Sequence, residues 1–332
     1  MGKGYHVAIV GATGAVGIEL LRVMERREFP VASLRLLASP KSVGRSLRFR
    51  AQEIAVEALD ENSFAGTGLA FFSAGSNIAR EFAPRAQKAG VVVVDNSSAC
   101  RMDEAVPLVI PEVNPDDVRA HRGLIANPNC TTAVALMALF PLHRAFGLQR
   151  VFAASYQAVS GSGSRAIEEL RNQIDAASNG REIRAEVYPH QIAFNALPHV
   201  DSFLATGYTR EEMKLQNEGR KMMHLPEFRA SVTCVRIPVY RAHSVAISAE
   251  FARPVSIDAA RDVLAKAPGL DLVDEPTANR YPTPLECAGK DNCQVGRLRI
   301  DSALENGLSL WVSGDQLLKG AALNAVQIAE LL

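Results

Sequence analysis

A short apolar run, His6-Val7-Ala8-Ile9-Val10, breaks into Gly11-Ala12-Thr13-Gly14-Ala15-Val16-Gly17 and then into a helical stretch from Ile18 to Arg27. Strand, glycine turn and helix open a βαβ unit, which calls for a parallel sheet. Glycines let the backbone approach a pyrophosphate, and the helix N-terminus offers it N–H donors. The spacing is GxxGxxG rather than GxGxxG, and one glycine motif alone can be a mere tight turn. Repetition along the chain strengthens the motif. Leu34–Ala38, Leu69–Ser73 and Val91–Val94 read as further strands, with a helix from Asn77 to Lys88 between the last two. The alternation predicts an α/β fold, a Rossmann-like doubly wound parallel sheet.

The end of the second strand bears on the cofactor. A site for NAD usually carries Asp or Glu there, on the ribose 2′-hydroxyl. This chain has Ser39-Pro40-Lys41 and then Arg45. A hydroxyl and cations suit a 2′-phosphate, which favours NADP; a solvated loop with incidental basic residues would look the same.

At 332 residues the chain is long enough for two domains. Lys+Arg and Asp+Glu each number 36, so the formal net charge is zero. That argues against a nucleic-acid or anionic-membrane partner. No apolar run reaches transmembrane length, and no signal peptide is expected at the N-terminus. The five cysteines, at 100, 130, 234, 287 and 293, form no CxxC and no Cys/His metal spacing. Reduced thiols in a cytoplasm, and no metal, are the expectation.

Cys130 lies in Asn127-Pro128-Asn129-Cys130-Thr131-Thr132, just before the apolar run Ala133–Phe140. Pro128 bars helix for the residue before it, and Asn129 is a good cap. Cys130 therefore falls in a first helical turn, where N–H groups and the helix dipole favour a thiolate. Such a thiolate is a nucleophile, although a single cysteine is usually a small buried hydrophobe.

Val151–Val159 reads as a strand carrying Gln157, a buried amide in need of partners. Ser160-Gly161-Ser162-Gly163-Ser164 then opens a helix from Arg165 to Ala177. Thr209 and Glu212 form a capping box for another helix. Glu218 and Lys221 share a face of it and, taken alone, read as a surface ion pair. In Arg236-Ile237-Pro238-Val239-Tyr240-Arg241-Ala242-His243, the odd spacing would put Arg236 and His243 on opposite faces of one strand. Pro238 makes a break more natural, and a break could bring both to one site. Histidine is the usual general base near neutral pH, though a lone histidine is more often structural.

Taken together, these runs resemble the aspartate-β-semialdehyde dehydrogenase family over essentially the whole chain. The resemblance rests on GATGAVG at 11–17, LRLLAS at 34–39, DNSSACRMD at 95–103, PEVN at 111–114, NPNCTT at 127–132, YQAVSGSG at 156–163, NEGRK at 217–221, RIPVYRAHS at 236–244 and KGAALNAVQIAE at 319–330. It implies an NADPH-dependent reductive dephosphorylation of β-aspartyl phosphate to aspartate semialdehyde and phosphate, in the route to lysine, threonine and methionine. It also implies roles. Cys130 would be the nucleophile that carries a thioester, His243 the acid/base, and Gln157 the residue that positions thiol and acyl group. Arg236 would bind the substrate α-carboxylate and Glu218 its α-ammonium, while Arg101, Asn129 and Lys221 would line the phosphate pocket. Gly11, Thr13, Gly14, Ala15, Val16, Ser39, Lys41, Ser160, Gly161 and Asn324 would contact NADP.

Three positions depart from the family pattern: Cys100 stands where Phe is common, Lys41 where Arg is common, and the loop between Lys221 and Arg236 is short. The implied architecture is glyceraldehyde-3-phosphate-dehydrogenase-like. An NADP-binding domain would span 1–130 plus 312–332, with a last helix from about Gln316. An α+β catalytic and dimerisation domain would span 131–311, and the protein would be a cytoplasmic homodimer or a tetramer. Two other readings stay open: N-acetyl-γ-glutamyl-phosphate reductase, and a catalytically silent paralogue that acts in binding or assembly.

Overall fold

A computed structural model describes residues 4–332. The chain divides into two units, one running to Asn129 and resuming at Ala321–Leu332, the other spanning Cys130–Gly320.

In the first unit, β1 (Tyr5–Val10) leads through the glycine turn into α1 (Ala15–Arg26), and β2 (Val31–Ala38) pairs parallel with β1. A hairpin of β3 (Ser46–Phe49) and β4 (Gln52–Ala58) follows, then β5 (Leu69–Phe72), α2 (Ser76–Lys88), β6 (Val92–Asp95) and β7 (Leu124–Ala126). The seven strands lie in the order β3-β4-β2-β1-β5-β6-β7. All their pairings are parallel except β3 with β4. Val7–Val10, Leu69–Phe72 and Val93–Val94 are all buried, as strands covered on both faces must be. The chain order reverses on either side of β1, so the turn after β1 sits at a topological switch point, where open α/β sheets bind ligands.

The second unit opens with α3 (Cys130–Phe146), in which every side chain from Thr131 to Leu139 is buried. Then come β8 (Leu148–Gln157), α4 (Ser164–Ser178), α5 (Arg210–Met222), β9 (Arg229–Arg236) and β10 (His243–Phe251). α6 (Ile257–Ala265), β11 (Leu270–Leu272), α7 (Pro284–Cys287), β12 (Cys293–Ile300) and β13 (Gly307–Gly314) complete it. The mixed sheet runs β11-β12-β13-β10-β8-β9. The capping box at α5 is present as read: the Glu212 amide donates to Thr209 Oγ1, and the Thr209 amide to Glu212 Oε2.

The return to the first unit begins at Ala321, not at residue 312, because Gly307–Gly314 is a full strand of the second sheet. The last helix is also shorter than expected. A single π turn over Leu318–Ala322 precedes α8 (Leu323–Glu330). α8 packs beside α1, and Arg27 Nε and Nη2 both donate to the Glu330 carboxylate at 2.7 Å. No helix among the described residues is long and apolar enough to cross a membrane.

Candidate active site

The ends of three neighbouring strands bring the second unit's polar residues together. Gln157 closes β8 and is paired with Arg236, which closes β9; Ser244 of β10 faces Tyr156, so His243 begins β10 beside Gln157. The segment 237–242 is a break, as Pro238 requires. It places Arg236 and His243 together: a Cβ built on Gly161 would lie 2.9 Å from Arg236 Nη1 and 3.2 Å from both His243 Cε1 and Nε2.

Ala158, the residue after β8, holds both side chains. Its amide donates to His243 Nδ1 at 3.0 Å, and its carbonyl accepts from Arg236 Nη1 at 2.7 Å. Two polar atoms remain without partners although fully buried: Arg236 Nε and His243 Nε2. Leaving such groups unsatisfied costs about 1–3 kcal/mol each, which marks a place built for an external acceptor. Burial, and secondarily the Arg236 charge, push the His243 imidazolium down to about 3, with Glu211 opposing, so the ring is neutral near pH 7.

Gln157 is a satisfied buried amide: it accepts from Ser155 Oγ at 3.0 Å and donates to Glu211 Oε1 at 3.1 Å. Glu218 does not read as a surface group, being only 2% exposed; the buried face of α5 claims it, while Lys221 on the same helix is half-buried. Cys130 is the first residue of α3, where the orphan N–H groups of the helix gather. All five cysteines carry thiols rather than disulfides. Burial drives the Cys234 and Cys287 thiols up to about 12, so neither competes as a nucleophile.

Three supporting residues escape a reading of the sequence. Tyr188 presents its ring 5.8 Å from Arg236 Cζ and donates its hydroxyl to the Val159 carbonyl. Glu211 anchors Gln157 and accepts from Lys214 Nζ at 2.7 Å. Gln316 accepts from the Ala242 amide at 2.7 Å and donates to Ser160 Oγ, pinning the residue before His243, which sits at φ +72°. Only the tertiary fold discloses these partners. A left-handed alanine beside a candidate histidine has no signature in residue type.

In the first unit, Gly11 adopts φ +86°, and a Cβ there would meet the Ser73 carbonyl at 2.8 Å. A Cβ on Gly17 would meet Ala12 O at 2.6 Å, so the turn and helix α1 close tightly as a pyrophosphate cradle must. Gly14, Ala15 and Val16 form the N-terminus of α1, and Thr13 Oγ1 lies 3.3 Å from Ser42 Oγ. Ser39 and Lys41 are exposed after β2, with no carboxylate between them.

Arg101, nearly buried, donates to the carbonyls of Asn127 and Asn96 at 2.9 and 2.8 Å. Asn324 donates to Val109 O at 2.9 Å and Asn127 Oδ1 at 2.7 Å, leaving its own Oδ1 buried without a donor. An orphan acceptor fixed in that way suits a carboxamide N–H. The glycine turn and Asn324 thus fit a nicotinamide dinucleotide. Asn129 is buried directly before Cys130. Among the described residues no group of three His, Cys, Asp or Glu side chains could hold a metal ion.

Comparison with known proteins agrees with this division. Residues 6–121 match the NAD-binding domain of the semialdehyde dehydrogenases, and residues 139–319 match their dimerisation domain. The chain is 53% identical to the aspartate-semialdehyde dehydrogenase of Aquifex aeolicus, covering 99% of this chain and 98% of that protein. It is 46% identical to the Bacillus subtilis enzyme of the same name, covering 100% and 98%. The crystal structure of aspartate semialdehyde dehydrogenase II from Vibrio cholerae complexed with ASA superposes with a TM-score of 0.96 at 42% identity, covering 100% of this chain and 98% of that one. An aspartate semialdehyde dehydrogenase structure with NADP, from Candida albicans, gives a TM-score of 0.77 at 25% identity, covering 99% and 98%.

Proposed function

The chain belongs to the aspartate-semialdehyde dehydrogenase family, and from that premise we propose that it reduces β-aspartyl phosphate to aspartate semialdehyde and phosphate, using NADPH and a Cys130 thioester. The observation that carries this reading is the pair of buried, unpartnered atoms, Arg236 Nε and His243 Nε2, on two side chains that meet at Gly161 and share the backbone of Ala158.

Each residue then has work suited to its chemistry. The Cys130 thiolate attacks the acyl carbon, phosphate leaves, and a thioester remains. Arg236 offers its Nε edge to the substrate α-carboxylate, in a place where a planar fork outperforms a point charge. Glu218 supplies the carboxylate for the α-ammonium. Arg101, Asn129 and Lys221 neutralise and orient phosphate. Gln157, held by Ser155 and Glu211, fixes the acyl group against Cys130. His243 acts on the reacting acyl oxygen. Gly11, Thr13, Gly14, Ala15, Val16, Ser39, Lys41, Ser160, Gly161 and Asn324 are assigned to NADP, and bound there the nicotinamide supplies the hydride. Lys41 and Ser39, in place of an acidic residue, support NADP over NAD.

The open face of the second sheet supports a homodimer. Helices α3, α5 and α6 cover its other face. On the open side lie Phe152, 48% exposed, and the paired rings of Tyr156 and Trp311, with centroids 5.2 Å apart. An apolar face of this kind suits a second copy of the chain.

The substrate assignment is tested by offering aspartate semialdehyde and N-acetyl-glutamate semialdehyde separately, each with NADP and phosphate. Turnover should be confined to the free amino acid, the one substrate with an ammonium for Glu218 to meet. Preference for the acetylated aldehyde overturns the assignment. Binding of NADP with neither aldehyde turned over would identify a silent paralogue.

A further inference from the structure

The carboxyl ends of three neighbouring strands in the first unit meet at a row of asparagines. Phe72 closes β5 and pairs in register with Asp95 of β6, which pairs in turn with Ala126 of β7. Asn96 and Asn127, each the next residue along, therefore stand side by side at the edge where open α/β sheets bind ligands. Asn324 reaches the same place from the first turn of α8.

The three side chains join head to tail. Asn96 Nδ2 donates to Phe72 O at 3.1 Å, Asn127 Nδ2 to Asn96 Oδ1 at 2.9 Å, and Asn324 Nδ2 to Asn127 Oδ1 at 2.7 Å. The backbone fixes the direction of the row, because a carbonyl can only accept. Phe72 O claims the amino group of Asn96, Ala321 O that of Asn127 at 3.4 Å, and Val109 O that of Asn324 at 2.9 Å. Turning any one amide over would set its oxygen against a backbone carbonyl and break its bonds along the row. Both Nδ2 hydrogens of Asn324 are thereby spent, and its Oδ1 is buried with no partner in the protein.

Resting on the assignment of Asn324 to the nicotinamide, we infer that Asn96 and Asn127 are positioning residues for cofactor recognition. They lock the Asn324 amide so that its oxygen, and not its amino group, is offered to the cofactor, which makes the site selective for a ring substituent that carries N–H. Two directional bonds fix the plane of that amide, whereas Val109 O alone would let it tilt. An amide that donates at nitrogen becomes a better acceptor at oxygen, so the row strengthens the acceptor at its open end. The backbone at both positions is occupied separately. The Asn96 and Asn127 amides donate to Phe72 O and Asp95 O, and their carbonyls accept from Arg101 Nη2 and Nε. The main chain thus holds the arginine assigned to phosphate, and the side chains are left to the amide row.

The test compares binding of NADP with binding of its 3-acetylpyridine analogue, in which a methyl replaces the carboxamide NH2, by calorimetry on the full chain. Wild type should prefer NADP by about tenfold, the effect of leaving one buried acceptor unmet. Asn127→Leu, similar in shape but without hydrogen-bonding groups, should lose about threefold or more of that preference, as coupled members of one hydrogen-bond network do. Asn96 is half-buried, so Asn96→Leu is the milder variant and should move the preference the same way. Asn96→Asp, which retains an acceptor for Asn127, should keep it. A merely structural role would weaken both dinucleotides by one common factor.

Unchanged preference in Asn127→Leu and Asn96→Leu overturns the inference. If Asn127→Leu does not fold, the two Asn96 variants decide. A wild type without preference removes Asn324 from carboxamide recognition and the positioning role with it. Turnover does not enter these readings. A wild type that prefers NADP yet leaves aspartate semialdehyde untouched would fail the proposed reaction, while the Asn127 and Asn96 variants would still decide the positioning role.

Discussion

Gly320 lies directly against Cys130: a Cβ at position 320 would sit 2.7 Å from the cysteine Cβ and 3.0 Å from its Cα. The π turn that contains Gly320 thus passes the start of α3 at a distance only glycine permits. Gly320→Ala should move Cys130. Forcing a methyl into a packed site costs about 1–3 kcal/mol of stability. A displacement of about 1 Å at a nucleophile costs about 10²-fold in rate. The expected outcome is a folded variant with a modest fall in Tm and a large fall in kcat, read by thermal melting beside steady-state kinetics. A full-rate variant would mean that the contact does not place the thiol.

Arg236→Lys should keep the charge and lose the fork. The lost hydrogen bond to a charged partner corresponds to about 1.5–3 kcal/mol, or about 10–100-fold in KM, with kcat much less affected. Unchanged KM for aspartate semialdehyde would remove Arg236 from carboxylate recognition.

Asn324→Ala should weaken nicotinamide cofactor binding. The variant loses the orphan Oδ1 acceptor and also two donated hydrogen bonds, to Val109 and Asn127. A fall of about tenfold in NADPH affinity, from about 1–2 kcal/mol, is expected by fluorescence titration of folded protein. Equal affinity in the two proteins would contradict the carboxamide assignment.

Ser39→Asp should shift cofactor preference. A carboxylate at the end of β2 repels a 2′-phosphate and accepts from a ribose hydroxyl. The ratio of kcat/KM for NADP to that for NAD should fall, and an unaltered ratio would show that this loop does not read the ribose.

Stability should carry the mark of His243. Its native value of about 3 lies below the ordinary 6.5, so the unfolded chain binds more protons between those values. Stability contributed by the neutral buried ring is complete above pH 6.5 and is lost as pH falls below it, by at most about 1.4 kcal/mol per unit. Denaturant midpoints of wild type and His243→Asn should therefore converge as pH drops from neutrality toward 5. Parallel curves would show that the buried ring is not held neutral.

Much of the fold and site is legible in the residues themselves. The glycine turn, the strands at Leu69 and Val91, the capping box at Thr209 and the place of Cys130 in a first helical turn all follow from local pattern and cap chemistry. Pro238 is enough to anticipate a break that lets Arg236 and His243 meet. The hairpin of β3 and β4 escapes such a reading, because its strands are short and mostly exposed. The domain boundary at residue 312 misleads because no local pattern marks where the chain leaves the second sheet, which claims Gly307–Gly314. Glu218 reads as a surface group because i,i+3 spacing fixes a shared face but not which face is buried. Tyr188, Glu211 and Gln316 matter through contacts made across the fold, and no local pattern encodes those.

The most direct test of the central claim is NADPH formation from aspartate semialdehyde, NADP and phosphate, followed by absorbance, with wild type beside Cys130→Ser. Phosphate-dependent turnover in the wild type, lost in the mutant while NADP still binds, is the predicted result. Turnover that survives the substitution, or a wild type that binds NADP and leaves the aldehyde untouched, would contradict it.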